Sequence, residues 1–130
     1  MEKSLDANFL LRWLLGDIPA QQAATDRIMS NKTTLHVADM ALEEIAYVME
    51  KVMGLPRTMV VNNFRTLMAQ SNVNCNRSVL AAALPLYEKH PALSFVDCCL
   101  VVYAELQGAT PLLTFDKKLA KQLPHAGLVQ

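Results

Sequence analysis

Short β-prone segments alternate with longer helical segments, and this alternation constrains the fold more than any other feature of the sequence. The β-prone segments are "KSL" at 3–5, "TTLHV" at 33–37, "PLLT" at 111–114 and "GLVQ" at 127–130, together with a short extended piece that precedes the helix in "NVNCNRSVLAAALPLYEKH". Patterns typical of helices fill the intervals between them. Strands that alternate with helices favour parallel pairing, so the sequence predicts an α/β fold with a small, mainly parallel, twisted sheet flanked by helices.

The bulk composition suits one globular domain. The chain has 130 residues, of which 52% are hydrophobic, which is enough for an adequate core. We expect neither a bilayer-spanning segment nor a signal peptide. The odd count of three cysteines favours a reduced, cytoplasmic protein. A formal net charge of zero argues against broad, charge-driven nucleic-acid binding, although a local basic rim remains open.

Acidic residues follow two of the predicted strands directly. Asp6 comes after "KSL", and Asp116 comes after "PLLT". Because the carboxyl ends of parallel strands lie at one edge of a sheet, where α/β domains carry their functional crevice, we expect both acids there. A third acid, Asp97, lies in the first turn of a largely apolar helix, where an ionised side chain needs an explanation.

The segment "MALEEIAYVMEKVMG" predicts a helix over 40–53 that ends at Gly54 and has Asp39 as its N-cap. At about 100° per residue its apolar face consists of Ala41, Ile45, Val48, Met49 and Val52. Glu43 then faces solvent, whereas Glu44 lies at the edge of the apolar face. A carboxylate at that edge is better placed to enter a crevice, so we favour Glu44 over Glu43.

Each acid also has a purely structural interpretation as a helix cap. Asp6 precedes a helix-like run, Ser94 and Asp97 match the S-x-x-D capping box, and Thr114 and Asp116 precede the last helix. Caps are common, so any one acid taken alone is better explained in this way. Taken together, crowded carboxylates repel unless a cation neutralises them. Mg²⁺ and Mn²⁺ prefer oxygen ligands and suit attack on a phosphodiester.

Four segments resemble the PIN-domain family in their order and spacing, and the resemblance covers essentially the whole chain. They are "LDANFLLRWLLGD", "LEEIAYVME", "FVDCCLVVYAELQG" and "LLTFDKKLA". Within that family they are similar to the VapC-type toxin ribonucleases of bacterial toxin–antitoxin modules. The resemblance implies a single PIN-like nuclease domain over 1–130 that cuts RNA with Mg²⁺ or Mn²⁺. It also implies an antitoxin partner protein and a homodimer.

The same resemblance assigns the catalytic and metal-binding acids. They are Asp6, Glu44, Asp97 and Asp116. Asp6 belongs to a D-x-N motif, although Ala7 stands where the family commonly has a hydroxyl residue. We expect Asp6, Glu44 and Asp97 to hold one divalent ion, which lowers the pKa of a bound water. Asp116 either completes the pocket or supports a second ion.

Five further residues are candidates to orient the acids or to contact RNA. Asn8 and Thr114 are expected to orient the carboxylates. Arg12 lies about one and a half turns after Asp6, where it is either an RNA phosphate contact or an ordinary surface arginine. Lys117 and Lys118 follow Asp116, where they either steer a phosphate backbone or form a solvated helix face.

Two other functions stay open at this point. The D-A-N motif loosely resembles the start of a haloacid-dehalogenase motif, which would make the chain a phosphoryl-transfer enzyme with Asp6 as nucleophile. That family needs a lysine before its late acidic motif, whereas Lys117 and Lys118 follow Asp116. The other alternative is a catalytically inactive, RNA-binding PIN domain. The intact set of four acids argues against it, because crowded charges are costly to keep.

Overall fold

Five short strands form two separate parallel ladders in the computed structural model, which describes residues 1–130. The strands of the first ladder are β1 (Lys3–Ser4), β2 (Leu35–His36) and β3 (Val73–Asn74), paired in that order. The second ladder consists of β4 (Leu112–Thr114) and β5 (Ala126–Leu128). Each ladder lies in its own compact unit, residues 1–76 and residues 77–130.

The α/β fold with small parallel sheets is therefore confirmed. The expectation that Asp6 and Asp116 follow strands of one and the same sheet is wrong, because β1 and β4 belong to different ladders. The reason lies in the C-terminal segment. This segment forms β5, which pairs with β4 inside the second unit and places Ala126 opposite Leu112.

The first unit surrounds its ladder with helices. Their bounds are α1 (Ala7–Leu15), α2 (Pro19–Met29), α3 (Asp39–Tyr47) and α4 (Arg57–Met68). Helix α1 packs against the other three helices. Leu10, Leu35, Ile45 and Phe64 are fully buried between these elements and the sheet. The position of α1 matters most for function, because it begins directly after Asp6 and carries Asn8 and Arg12.

The helix that follows β2 differs from its predicted form in two ways. It begins at Asp39, and Ala38 occupies the extended N-cap position that was expected for Asp39. Its last turn, Val48–Val52, is π-helical, with the N–H of Met53 donating to the carbonyl of Val48 at 2.9 Å. A π turn holds more residues than an α turn, so the projection at 100° per residue fails there. Val52, predicted on the apolar face, is consequently 66% exposed.

The second unit is built on two long helices and one short helix. Their bounds are α5 (Arg77–Lys89), α6 (Phe95–Leu106) and α7 (Lys117–Gln122). Helices α5 and α6 pack along each other, and the Tyr87 and Phe95 rings meet edge to face at 5.8 Å. Strand β4 contacts both α6 and α7. None of the helices has the length and apolar character that a membrane crossing requires.

Replacing Gly16 by alanine should destabilise the protein more than the same change at Gly108. Both glycines have positive φ, 61° and 68°, where a Cβ costs about 1–2 kcal/mol. At Gly16 the methyl group also meets the side-chain oxygen of Gln22, whose amide donates to Asp26 at 3.1 Å. At Gly108 nothing lies within 4 Å. Urea unfolding measures the difference, and equal losses would contradict the contact with Gln22.

Candidate active site

Asp6 caps the first helix and keeps one carboxylate oxygen free. Its backbone is extended, and its Oδ1 accepts a hydrogen bond from the N–H of Phe9 at 2.8 Å. This is the N-cap geometry that the sequence suggests. The side chain is exposed, and Oδ2 accepts no hydrogen bond within the protein. The cap therefore fixes the carboxylate at the start of α1 without using both of its oxygens.

A cleft of about 520 Å³ in the first unit brings Asp6 and Glu44 to one cavity. The polar part of its lining consists of Asp6, Asn8, Arg12, Asp17 and Glu44. The remaining lining is apolar and includes Val48 and Met53 from the π-helical turn and its end. No histidine or cysteine lines the cleft, so its charged ligand atoms are carboxylate oxygens. That donor set fits a hard divalent cation such as Mg²⁺ or Mn²⁺.

The charges in the cleft favour a cation. Arg12 is paired with Asp17, and its Nη1 lies 3.1 Å from one carboxylate oxygen and 3.3 Å from the other. Asp6 and Glu44, in contrast, form no ion pair. Two carboxylates that line one cavity and have no ion-pair partner attract a cation to it. Asp17 is a further polar residue of the cleft, and its only signal in the sequence is its position five residues after Arg12, across Gly16.

Glu44 and Glu43 have the reverse of their expected exposure. Glu43 is partly buried, whereas Glu44 is exposed. The cause is the buried face of α3, which contains Leu42, Ile45 and Ala46 and is thus rotated from the predicted one. Glu44 nevertheless lines the cleft that contains Asp6, and Glu43 does not. The carboxylate of Glu44 makes no hydrogen bond or ion pair within the protein.

Asp97 belongs to a complete capping box at the start of α6 in the second unit. The hydroxyl of Ser94 accepts from the N–H of Asp97 at 3.0 Å. In return, Oδ2 of Asp97 accepts from the N–H of Ser94 at 3.4 Å. The carboxyl group is partly buried, and its Oδ1 is left free. The capping interpretation of these two residues is confirmed as a structural role.

Asp116 caps α7 with similar geometry. Its Oδ1 accepts from the N–H groups of Lys118 at 2.9 Å and Leu119 at 3.2 Å. The hydroxyl of Thr114 accepts from the N–H of Asp116 at 2.9 Å, which fixes the turn between β4 and α7. The side chains of Lys117 and Lys118 are exposed just after this cap.

The candidate residues are divided between the two units. The first unit brings together Asp6, Asn8, Arg12 and Glu44 at the cleft. The second unit carries Asp97, Thr114, Asp116, Lys117 and Lys118. Neither unit by itself contains a cluster of three or more acidic, histidine or cysteine side chains arranged to hold a metal ion.

The comparison with protein families gives one finding that covers most of the chain. The family model described as PIN domain matches residues 4–122. The matched range includes all four candidate acids and the candidate RNA contacts. The comparison with curated proteins gives no match.

Alanine in place of Asp6 should lower the free energy of unfolding by about 1 kcal/mol, because the N–H of Phe9 loses its acceptor. Asparagine should change it by less than about 0.5 kcal/mol, because an amide oxygen caps a helix as well as a carboxylate does. The same contrast is expected at Asp116. Urea unfolding without divalent ions provides the measurement. Equal losses for alanine and asparagine would show that capping is not what the side chain contributes.

Proposed function

The chain belongs to the PIN-domain family, and on that basis we propose that it is an endoribonuclease that requires Mg²⁺ or Mn²⁺. PIN domains are in general metal-dependent nucleases. The observation that carries the proposal for this chain is the cleft in which Asp6 and Glu44 have no cationic partner. We assign the nuclease domain to residues 1–130.

We assign metal binding to four carboxylates. Asp6 and Glu44 are the ligands in the cleft of the first unit, and the family resemblance gives the same role to Asp97 and Asp116. The free oxygens of Asp6, Asp97 and Asp116 support this assignment, since each cap uses one oxygen only. A bound divalent ion would activate a water for attack on phosphorus and would neutralise charge on the phosphate.

The remaining candidates either orient the acids or contact the RNA. Asn8 lies two residues after Asp6 in the first turn of α1 and offers an amide at the cleft. Thr114 fixes the backbone that carries Asp116. Arg12, Lys117 and Lys118 contact the RNA phosphates in our proposal, with Arg12 oriented by its pair with Asp17. One of the carboxylates accepts the proton of the attacking water.

We also propose that this nuclease is the toxin of a type II toxin–antitoxin pair and forms a homodimer. Exposed apolar side chains on α6 support a protein partner, because Val96 is 38% and Leu100 is 45% exposed on one helix face. The cytoplasm is the proposed location. Its support is the odd count of three cysteines, which favours a reducing compartment.

RNA cleavage by the purified chain should require Mg²⁺ or Mn²⁺ and should stop with a chelator. Asp97→Asn should lower the rate at least about 100-fold, because it keeps the capping acceptor and removes the charge that binds the ion. A circular single-stranded RNA is the substrate of choice, since only internal cleavage can open it. The rate of linear product formation is the measurement.

Glu88→Gln is the matched control, because it removes an exposed carboxylate of α5 that lies outside the candidate set. Its cleavage rate should equal that of the wild type. Full cleavage by Asp97→Asn, or cleavage that persists in chelator, would overturn the proposed mechanism. A labile phosphate on Asp6 after treatment with a phosphodonor would instead support the phosphoryl-transfer alternative, and RNA binding without cleavage would support an inactive domain.

Metal binding should be measurable without any substrate. An ion that binds only the folded state raises the free energy of unfolding by about 2.7 kcal/mol at a concentration 100 times its Kd. We expect Mn²⁺ to raise the midpoint of urea unfolding in the wild type and in Glu88→Gln. Asp6→Asn and Glu44→Gln should lose most of that increase. An equal Mn²⁺ effect in all four proteins would exclude the cleft as the metal site.

A further inference from the structure

We propose that a groove beside the cleft binds one nucleobase of the RNA, stacked on Tyr47. The proposal rests on the proposed nuclease function and adds a base-binding subsite to it. The groove has a volume of about 620 Å³. It shares Asp6, Ala7 and Glu44 with the cleft, so the two cavities meet at the candidate metal ligands. Its other wall is formed by Met40 and Tyr47 together with Ala38 and Ala41.

The groove wall follows from the spacing of residues along α3. Met40, Glu44 and Tyr47 stand at positions i, i+4 and i+7, which share one helix face. Met40 is 79% exposed, and Tyr47 is 62% exposed. The side chain of Tyr47 stacks on no other aromatic ring, and its hydroxyl makes no hydrogen bond within the protein. An apolar, flat ring surface is thus presented to solvent directly beside the carboxylates.

The chemistry of the groove suits a base better than a phosphate. Its polar groups are carboxylates, including that of the partly buried Glu43, and they repel a second phosphate. A carboxylate accepts hydrogen bonds from the amino or imino N–H groups of a base. Asp6 and Glu44 line the cleft as well as the groove. A phosphate bound to an ion at these two residues therefore places the nucleoside attached to it in the groove. Any of the four bases can stack on an aromatic ring, so the subsite does not select a sequence.

Binding of single-stranded RNA tests the subsite directly. The probe is a fluorescently labelled RNA of eight nucleotides with mixed sequence, measured by anisotropy in Mg²⁺ in the Asp97→Asn background. We expect Tyr47→Leu to weaken binding between about fivefold and about 150-fold, the range for loss of one stacked base. Tyr47→Phe keeps the ring and should bind like its parent. Met59→Ala, an exposed methionine outside both cavities, is the control and should also bind like its parent.

An abasic strand of the same length separates a base contact from a backbone contact. The parent and Tyr47→Leu should bind it equally, because it has no base to stack. Unchanged binding of the mixed RNA by Tyr47→Leu would overturn the proposal, and so would an equal loss with the abasic strand. Unchanged RNA binding together with a changed oligomeric state would assign the groove to a protein contact and would overturn it as well.

The two proposals fail in different ways. If the wild type cleaves no RNA but Tyr47→Leu loses base-dependent binding, the nuclease proposal is wrong and the base subsite stands. If the wild type cleaves RNA and Tyr47→Leu binds it like the parent, the nuclease proposal stands and the base subsite is overturned.

Discussion

Hydrogen bonds from the N–H groups at helix starts fix three of the four candidate carboxylates, and the rest of the site depends on them. Asp6 and Asp116 are N-caps, and Asp97 closes a capping box with Ser94. In each case one oxygen is used and the other is free. The structural and the chemical interpretation of these acids are therefore compatible, because a cap restrains the rotamer and still leaves an oxygen for a cation.

Glu44 is the exception, and the contrast is informative. It projects from the middle of α3 and makes no hydrogen bond, so only its backbone is fixed. When the Glu44 side chain binds a ligand, it loses rotamer entropy worth up to about 2 kcal/mol. The capped acids have already lost most of this entropy on folding. An ion at the metal site that we propose in the cleft would thus be held by one preorganised carboxylate, Asp6, and by one that the ion itself orders, Glu44.

Features encoded by local signals could be predicted from the sequence. The structure contains the strand that begins at Lys3, the caps at Asp6 and Asp116 and the capping box at Ser94. Each of these features depends on residues only a few positions apart. The features that were missed depend on tertiary packing. These are the separate ladder of β4 and β5, the rotation of the buried face of α3 and the pair of Arg12 with Asp17. Roles of the acids in metal binding rest on the family resemblance rather than on any local pattern.

The two walls of the cleft are built on different kinds of helix. One wall stands on α1, a regular helix packed against three others. The other contains Val48 and Met53, joined by an i to i+5 hydrogen bond of 2.9 Å in place of the i to i+4 bonds of an α-helix. The shape of the cleft therefore depends on the register of this one turn: a return to i to i+4 bonding would displace Met53 on one side and leave Asp6 in place on the other.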